Sequence, residues 1–496
     1  MKARRITPFT YVSYGATDIL GAGAVGVTGA WLLYFYTTFC GLTAIEAATI
    51  FAVARVVDAI ASPLIGFISD NFGGTAIGRR FGRRRSFLLI SVFLLPCFAL
   101  MWVSGQSFWY YLLTYIFFDF VYAAVLIPYE TLASEMTSDY KQKAKFAGAR
   151  LLFGQAASLL AGVLPGRIVD FMGKDDANTF LYLGLIFSGL FMIAVLLTWS
   201  QSWERDRTGE PPEAPRRGNP ILNLYGDLWS TLKIRTFRIH LGMYLSGYIA
   251  MDVFNAVFAY FVVFALGSSM VLASNLLGTV AFGQFFGVMA AISLCLTLQP
   301  APTYRLAIVL CGAGITSLLA IYLVKPSDLN WWLYGAIALA GLGRGGLAYI
   351  PWNLYNYMGD IDEVITGKRR DGTIAGVMTF VRKAAQALAV MSVGAVLEWS
   401  GFAAKAATQS QATNFVIVCV LIGGTLTLMV TGFAVSTGLS LNNKTHAVLS
   451  SVVSRLKAGE SEFSESDKQT VERLTGWTFS ALWGRGPLNR STRWTR

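Results

Sequence analysis

Arg55 and Asp58 stand one helical turn apart inside a stretch apolar enough to lie in a bilayer, FAVARVVDAIASPLIGFISD (51–70). Ionised side chains within a membrane helix cost about 2.5–3.5 kcal/mol each on insertion scales, so they normally face a partner or a wet cavity. Ser62, four residues beyond Asp58, falls on the same helical face and adds an oxygen ligand. The chain leaves this stretch at Asp70 and enters a loop holding Arg79, Arg80, Arg83, Arg84 and Arg85. A basic cluster beside a membrane helix places its loop on the cytoplasmic side. A buried ion-binding turn followed by a basic hairpin reads as a helix of a transporter.

The elements that position this turn are apolar throughout. The chain is 54% hydrophobic and 14% charged, far from the average of soluble domains. A surplus of twelve positive charges invites a nucleic-acid reading, but the basic residues sit in alternate loops, which makes them topology signals instead. Cys40, Cys97, Cys295, Cys311 and Cys419 fall in or beside apolar segments without paired spacing and read as reduced packing residues. The basic start with Lys2, Arg4 and Arg5 precedes an apolar run too long for a signal peptide, with Asp18 inside it and no small-residue cleavage site. It reads as an uncleaved first membrane helix.

Apolar segments of about 20 residues or more, the length that spans hydrocarbon, recur near 11–39, 44–70, 86–104, 108–136, 147–171 and 179–199. Six more follow near 240–266, 270–298, 304–325, 331–358, 373–400 and 411–437. Between the two sets lies a polar linker containing EPPEAPRRGNP, which cannot continue a membrane helix. Ile221, Leu224, Leu228 and Leu232 then recur at helical spacing and predict a short helix at the membrane surface. The expected domains are an N-terminal six-helix bundle over 1–200, a cytoplasmic linker over 201–239, a second six-helix bundle over 240–437 and a cytoplasmic tail over 438–496. The tail is polar, with weak helical periodicity and mixed charges that read as a solvated face. Lys and Arg crowd the N-terminus, the loops at 79–85, 141–145 and 368–370, the linker and the tail, so both termini are expected in the cytoplasm.

The halves repeat one another weakly. Ile127-Pro128-Tyr129 and Ile350-Pro351-Trp352 sit near the ends of the fourth and tenth helices, and Ala147-Gly148 and Ala375-Gly376 open the fifth and eleventh. In that register Gln155 corresponds to Lys383. Two related bundles with a site between them are a common plan of secondary transporters.

VARVVDAIASPLIGFISD followed by GRRRSFLL, IPYETLASEMTSD (127–139) and MGDIDEVITGKRRDG (358–372) together resemble the glycoside–pentoside–hexuronide:cation symporters of the major facilitator superfamily. The resemblance runs over roughly residues 8–437. Within that family the overall wording is most similar to the oligogalacturonide transporters of pectin-degrading enterobacteria. It implies an all-α membrane protein, with twelve transmembrane helices in two six-helix bundles and the major facilitator fold, in a bacterial inner membrane. It also implies a monomer whose partners are an anionic sugar and membrane lipid, with no nucleic acid. No cofactor is implied beyond a coupling ion, H+ or Na+.

The resemblance assigns roles residue by residue. Asp58 takes the first cation-binding carboxylate position, while the second is Ser62, so the choice between sodium at Asp58 and a proton stays open. Arg55 completes the cation-coupling set. Asp18 matches the sugar-binding acid, Arg150 an arginine of the sugar site, and Lys383 a lysine near both sites. The family acid before the Ile-Pro of helix four is Leu126 here. Apart from the resemblance, Tyr122 and Trp352 suit stacking on a sugar ring or, as for most membrane aromatics, packing or an interface place; Asp70 with Arg83 and Arg84 resembles a cytoplasmic gating motif.

Each assignment has a plainer alternative. Asp18 suits a packing group, Asp58 with Arg55 a structural ion pair, Arg150 a snorkelling residue and Lys383 a salt bridge between bundles. Arg382, adjacent to Lys383, points about 100° away, so the two should not face one ligand. Asp119, Glu130, Asp252 and Arg344 also lie in membrane segments, and Glu130 with Arg344 suits a cavity pair, though each suits gating or packing equally well. The expected function is cation-coupled import of a glycoside or uronide by alternating access, with a lysolipid carrier of the same fold as the alternative. A membrane-embedded enzyme is disfavoured. The only histidines are His240 and His446, and the sequence has no metal spacing, nucleophile elbow or phosphate loop.

Overall fold

The computed structural model describes residues 6–137, 140–172, 178–204, 230–367 and 371–484. The N-terminal bundle comprises α1 (Pro8–Thr38), α2 (Ala44–Asn71), α3 (Arg85–Leu100), α4 (Phe108–Met136), α5 (Tyr140–Met172) and α6 (Asn178–Gln201). The C-terminal bundle comprises α7 (Arg235–Ala265), α8 (Met270–Leu298), α9 (Pro300–Val324), α10 (Leu329–Thr366), α11 (Asp371–Trp399) and α12 (Gln411–Thr437). Two shorter helices follow, α13 (Asn443–Lys457) and α14 (Glu465–Thr475). The linker segment 221–229 of the expected surface helix lies outside the described residues.

Sequence signals set the helix starts. Thr43 and Glu46 form a capping box before α2, and the hydroxyls of Ser107, Ser269 and Ser410 cap α4, α8 and α12. The spans expected from hydropathy are all helical, with two differences. The third is interrupted at Leu95 and Pro96. The tenth runs past the expected 358 to Thr366; both it and the fourth continue through their prolines, Pro351 and Pro128, because a membrane bundle re-satisfies the backbone groups a proline frees. α1 is broken at Thr17, resumes at Asp18 and turns π-helical over Thr28–Leu32, a distortion frequent at functional sites.

Small residues make the closest crossings. On α8, Gly283 and Gly287 face Gly341 and Gly345 of α10, two GxxxG pairs in backbone contact. Between bundles, Gly162 and Gly166 of α5 lie on Ser274 and Gly278 of α8, and Gly394 of α11 lies on Ala44 and Ala48 of α2. The described polar contacts between bundles lie from mid-helix to the end of the bundle pair away from the start of α1, here called the far face. There Thr37 bonds the Tyr260 hydroxyl at 2.8 Å, Lys405 N–H donates to the Thr37 carbonyl at 3.2 Å and Ala44 N–H to Glu398 at 2.9 Å.

The tail is folded, which its mixed charges hid. α13 buries Leu449, Val452 and Val453, and α14 buries Val471 and Leu474. His446 Nε2 lies 2.8 Å from Asp360, Lys457 Nζ 2.8 Å from Glu363, and Trp483 N–H donates to the Val364 carbonyl at 2.9 Å. These contacts bind the tail to the end of α10. Four cysteines are buried and Cys419 is exposed; burial pushes the Cys40 thiol up to about 11, which suits packing rather than reactivity.

Candidate functional site

Arg55, Asp58 and Ser62 form one stripe of α2, and Lys383 reaches them from α11 of the other bundle. Lys383 Nζ stands 2.6 Å from Asp58 Oδ2 and donates to Ser62 Oγ at 3.0 Å. Ser62 in turn donates to Asp58 Oδ1 at 2.8 Å. Arg55 Nη1 lies 3.8 Å from Asp58 Oδ2 and 3.7 Å from Asp119 Oδ1 on α4, while its Nη2 donates to the Tyr115 hydroxyl at 2.9 Å. Two cations thus face two carboxylates around a nearly inaccessible Asp58. Removing one partner of such a set leaves a buried charge uncompensated, which costs several kcal/mol.

A second cluster gathers on α1, α4 and α5. Arg150 Nε lies 2.7 Å from Asp18 Oδ2, its Nη2 lies 3.5 Å from Glu130 Oε1, and the Tyr129 hydroxyl donates to Asp18 Oδ2 at 2.8 Å. α5 begins at Tyr140, so Arg150 sits deeper than a start at 147 implies and meets Asp18 instead of headgroups.

A third cluster belongs to the C-terminal bundle. Arg382 Nη2 lies 2.7 Å from Asp252 Oδ2 of α7, and Gln386 Nε2 donates to Asp252 Oδ1 at 3.3 Å. The divergence expected of neighbouring residues is realised, with Lys383 directed to α2 and Arg382 to α7. Arg382 stacks 5.2 Å over the Tyr248 ring, whose hydroxyl accepts from Trp352 Nε1 at 2.8 Å. Arg344 Nη1 donates to Asn255 Oδ1 at 3.0 Å. The expected Glu130–Arg344 pair does not form, because each residue is turned to partners of its own bundle.

Between the clusters lies a cavity lined among others by Thr28, Gly29, Arg55, Asp252, Asn255 and Gln386. Its walls come from α1, α2, α7 and α11, so both bundles contribute. The π-helical turn of α1 supplies Thr28 and Gly29. Trp352 is partly exposed. Tyr122 donates to the Gly21 carbonyl at 2.9 Å and so is engaged with α1; the two aromatics stay in separate bundles.

The loop between α2 and α3 is clamped by two glutamates that motif reading passed over. Arg83 and Arg84 both pair with Glu135 at the end of α4. The backbone N–H groups of Arg83, Arg84 and Arg85 donate to the Glu204 carboxylate at 3.0, 2.8 and 2.8 Å. An anion at a helix start satisfies donors that have no partner within the helix. Gly82 makes the clamp possible: its φ is +94°, and a Cβ there would stand 2.7 Å from Glu204 Oε1. The side chain of Asp70 lies outside those described.

The sequence model of the family described as MFS/sugar transport protein matches residues 13–442. The chain belongs to that family. It is a cation-coupled, sugar-type symporter of the major facilitator superfamily, a multi-pass membrane transporter and not an enzyme. An uncharacterized symporter of Synechocystis is 26% identical over 494 residues, covering 82% of this chain and 88% of the relative. The glucuronide carrier protein homolog of Escherichia coli is 25% identical over 415 residues, covering 80% and 84%. A crystal structure of a mutant of the nucleoside transporter NupG shares the fold with a TM-score of 0.60 at 12% identity, covering 86% of this chain and 99% of that one.

For this symporter the sequence named the charges of the α2 cluster but not all their partners. Asp119 and Asp252 acquire their roles, and Gln386 and Asn255 enter, only through packing. The available signal was the rarity of charged residues in apolar segments, which marks Asp119 and Asp252 but not their mates.

Proposed function

We propose that this symporter couples proton entry to the uptake of an anionic sugar, with Asp58 as the coupling acid and Lys383 as its reporter on the other bundle. The observation that carries the reading is the Lys383–Asp58 contact at 2.6 Å, which joins the bundles beside the cavity. A proton on Asp58 removes the charge that holds Lys383 and lets α2 and α11 separate. A sodium ion at the same oxygens would have to displace an ammonium group already in contact, with one carboxylate and one hydroxyl to receive it. That donor set favours the proton.

Asp18 is proposed to accept hydrogen bonds from sugar hydroxyls, oriented by Arg150 and Tyr129, while Trp352 offers a ring face to the sugar. Tyr122 serves by fixing α1 against α4. Arg83 and Arg84, with Asp70, are proposed as the gate on the cytoplasmic side, and both termini are assigned to that side of a bacterial inner membrane. The four proposed domains follow the linker and tail boundaries given above. A uronide substrate is supported by the buried guanidinium groups around the cavity and by likeness to a glucuronide carrier homolog; oligogalacturonides are the narrower candidate.

Uptake into proteoliposomes under separate proton and sodium gradients tests both parts, using a panel of uronides, neutral glycosides and lysophosphatidylcholine. Accumulation of a uronide driven by the proton gradient is expected. Accumulation driven only by sodium would overturn the ion, and preference for the lysolipid would overturn the substrate.

A further inference from the structure

The charged residues of the three clusters do not balance locally. In the two clusters on α1, α2, α4 and α5, each cation has a carboxylate within ion-pair range: Arg55 and Lys383 meet Asp58, and Arg150 meets Asp18. In the C-terminal cluster, Arg344 and Arg382 have one described carboxylate between them, Asp252, which pairs with Arg382 and accepts from Gln386. Arg344 is 7% exposed, it has no described carboxylate in contact, and Asp252 acts on it only at longer range. Its polar partner is the neutral Asn255 amide, its Nε is buried without an acceptor, and its guanidinium rests 5.2 Å over Phe254. A buried cation without an anion is costly, and such groups within membranes mark substrate paths.

The backbone holds this arginine in place. Gly343 abuts Cys311 of α9 and Gly345 abuts Gly287 of α8 at distances no Cβ would allow. α10 is therefore wedged at that turn, and the side chain between the two glycines is turned to α7. Asn255 lines the cavity beside Asp252 and Gln386, so its amide is the layer between the cavity and the guanidinium.

We infer that Arg344 and Asn255 form the subsite for the carboxylate of a uronate sugar. This rests on the anionic-sugar reading above and names where the charge is read. A ligand carboxylate takes over the Arg344 donors now given to the Asn255 carbonyl oxygen, and the released amide NH2 becomes a second donor to it. A charged acceptor makes a bond about twice as strong as a neutral one, so the exchange favours the acid over the alcohol. A neutral hexose presents a hydroxymethyl group at the same place and gains no such replacement.

Binding of D-galacturonate and of D-galactose to purified full-length protein tests the assignment. Arg344→Gln should weaken galacturonate roughly ten- to a hundredfold and galactose less than about threefold, while Arg344→Lys should keep part of the preference. Asn255→Asp supplies Arg344 with a resident carboxylate and does not depend on tolerating a lost charge. It should abolish the preference for the acid while galactose still binds. Wild-type protein that prefers the acid, with that preference unchanged in Arg344→Gln or Asn255→Asp, overturns this subsite and leaves the anionic-sugar reading standing. Wild-type protein that does not distinguish the two sugars overturns both.

Discussion

Lys383 and Asp58, 325 residues apart in sequence (383 − 58), meet at 2.6 Å across the junction of the two bundles. Along both helices the cavity wall, at Arg55 on α2 and Gln386 on α11, lies between this contact and the backbone crossing at Gly394. Whatever changes the charge of Asp58 therefore changes the attraction between bundles. In a low-dielectric setting a unit charge at this range matters far more than in water.

Asp58→Asn removes that switch. Proton-driven accumulation should fall to background, while counterflow exchange of labelled sugar, which needs no net coupling, should persist. The check is the same proteoliposome preparation assayed both ways. Continued concentration of sugar against its gradient would rule Asp58 out as the coupling acid.

Asp18→Asn should act on binding. It leaves Arg150 with Glu130 as its described carboxylate partner and offers Tyr129 a neutral amide acceptor in place of a charged one. Loss of one charged contact typically costs about 1.5–3 kcal/mol, or roughly ten- to a hundredfold in affinity. Isothermal titration with sugar should read that loss for acid and neutral ligands alike, because hydroxyls are common to both. A loss confined to the acid would move carboxylate recognition to Arg150.

The helices were legible because each needs a long apolar run, and the charges inside them because such charges are rare. Their partners were not legible. Asp58 and Lys383 could be matched only through a family pattern, and the choice between pairing, gating and packing for Glu130 and Arg344 stayed open because nothing in one chain's order states which bundle a side chain faces. Glu204 gave no signal at all: it follows α6 in an ordinary polar exit, and its role exists only because Gly82 turns three N–H groups toward it. In the tail, Leu449, Val452 and Val453 do repeat at helical spacing, but the serines between them and the polar residues on either side dilute the pattern.

Glu204→Ala tests the clamp. Three backbone donors at the start of α3 lose their acceptor, a change of the kind that costs about 1–3 kcal/mol. The expected result is slower initial uptake with equilibrium sugar binding within about twofold of wild type, since Glu204 lies outside the cavity. Unchanged uptake would mean that the arginine loop does not move during transport.

Deleting residues 438–496 should destabilise the C-terminal bundle without removing the site. Full burial of a Val or Leu contributes about 1.5–3 kcal/mol as an upper range, and α13 and α14 bury five such residues. Melting temperature in detergent should fall by several degrees, with sugar affinity retained below the transition. An unchanged melting temperature would show that the tail adds nothing to the stability of the bundle it covers.

The far-face closure gives the last prediction. A Cβ on Gly162 would stand 2.6 Å from the Gly278 nitrogen, and one on Gly278 would stand 2.2 Å from Val163 Cγ2. The first obstacle is backbone, so relief requires α5 and α8 to part. Overpacking of this kind costs roughly 1–3 kcal/mol. Set against a two-state equilibrium, that shifts the population opened on the far face roughly five- to a hundredfold. The probe is Tyr260→Cys, whose parent hydroxyl bonds Thr37 in the closed arrangement, in a chain whose exposed Cys419 has been replaced by Ser. Labelling by a membrane-impermeant maleimide from the far face should accelerate by that factor in Gly162→Val, and net uptake should fall because closure is disfavoured. Gly189→Ala, where no atom lies within 4 Å of the added carbon, should change neither. Equal labelling rates in Gly162→Val and its parent, with uptake intact, would show that the α5–α8 crossing does not govern closure.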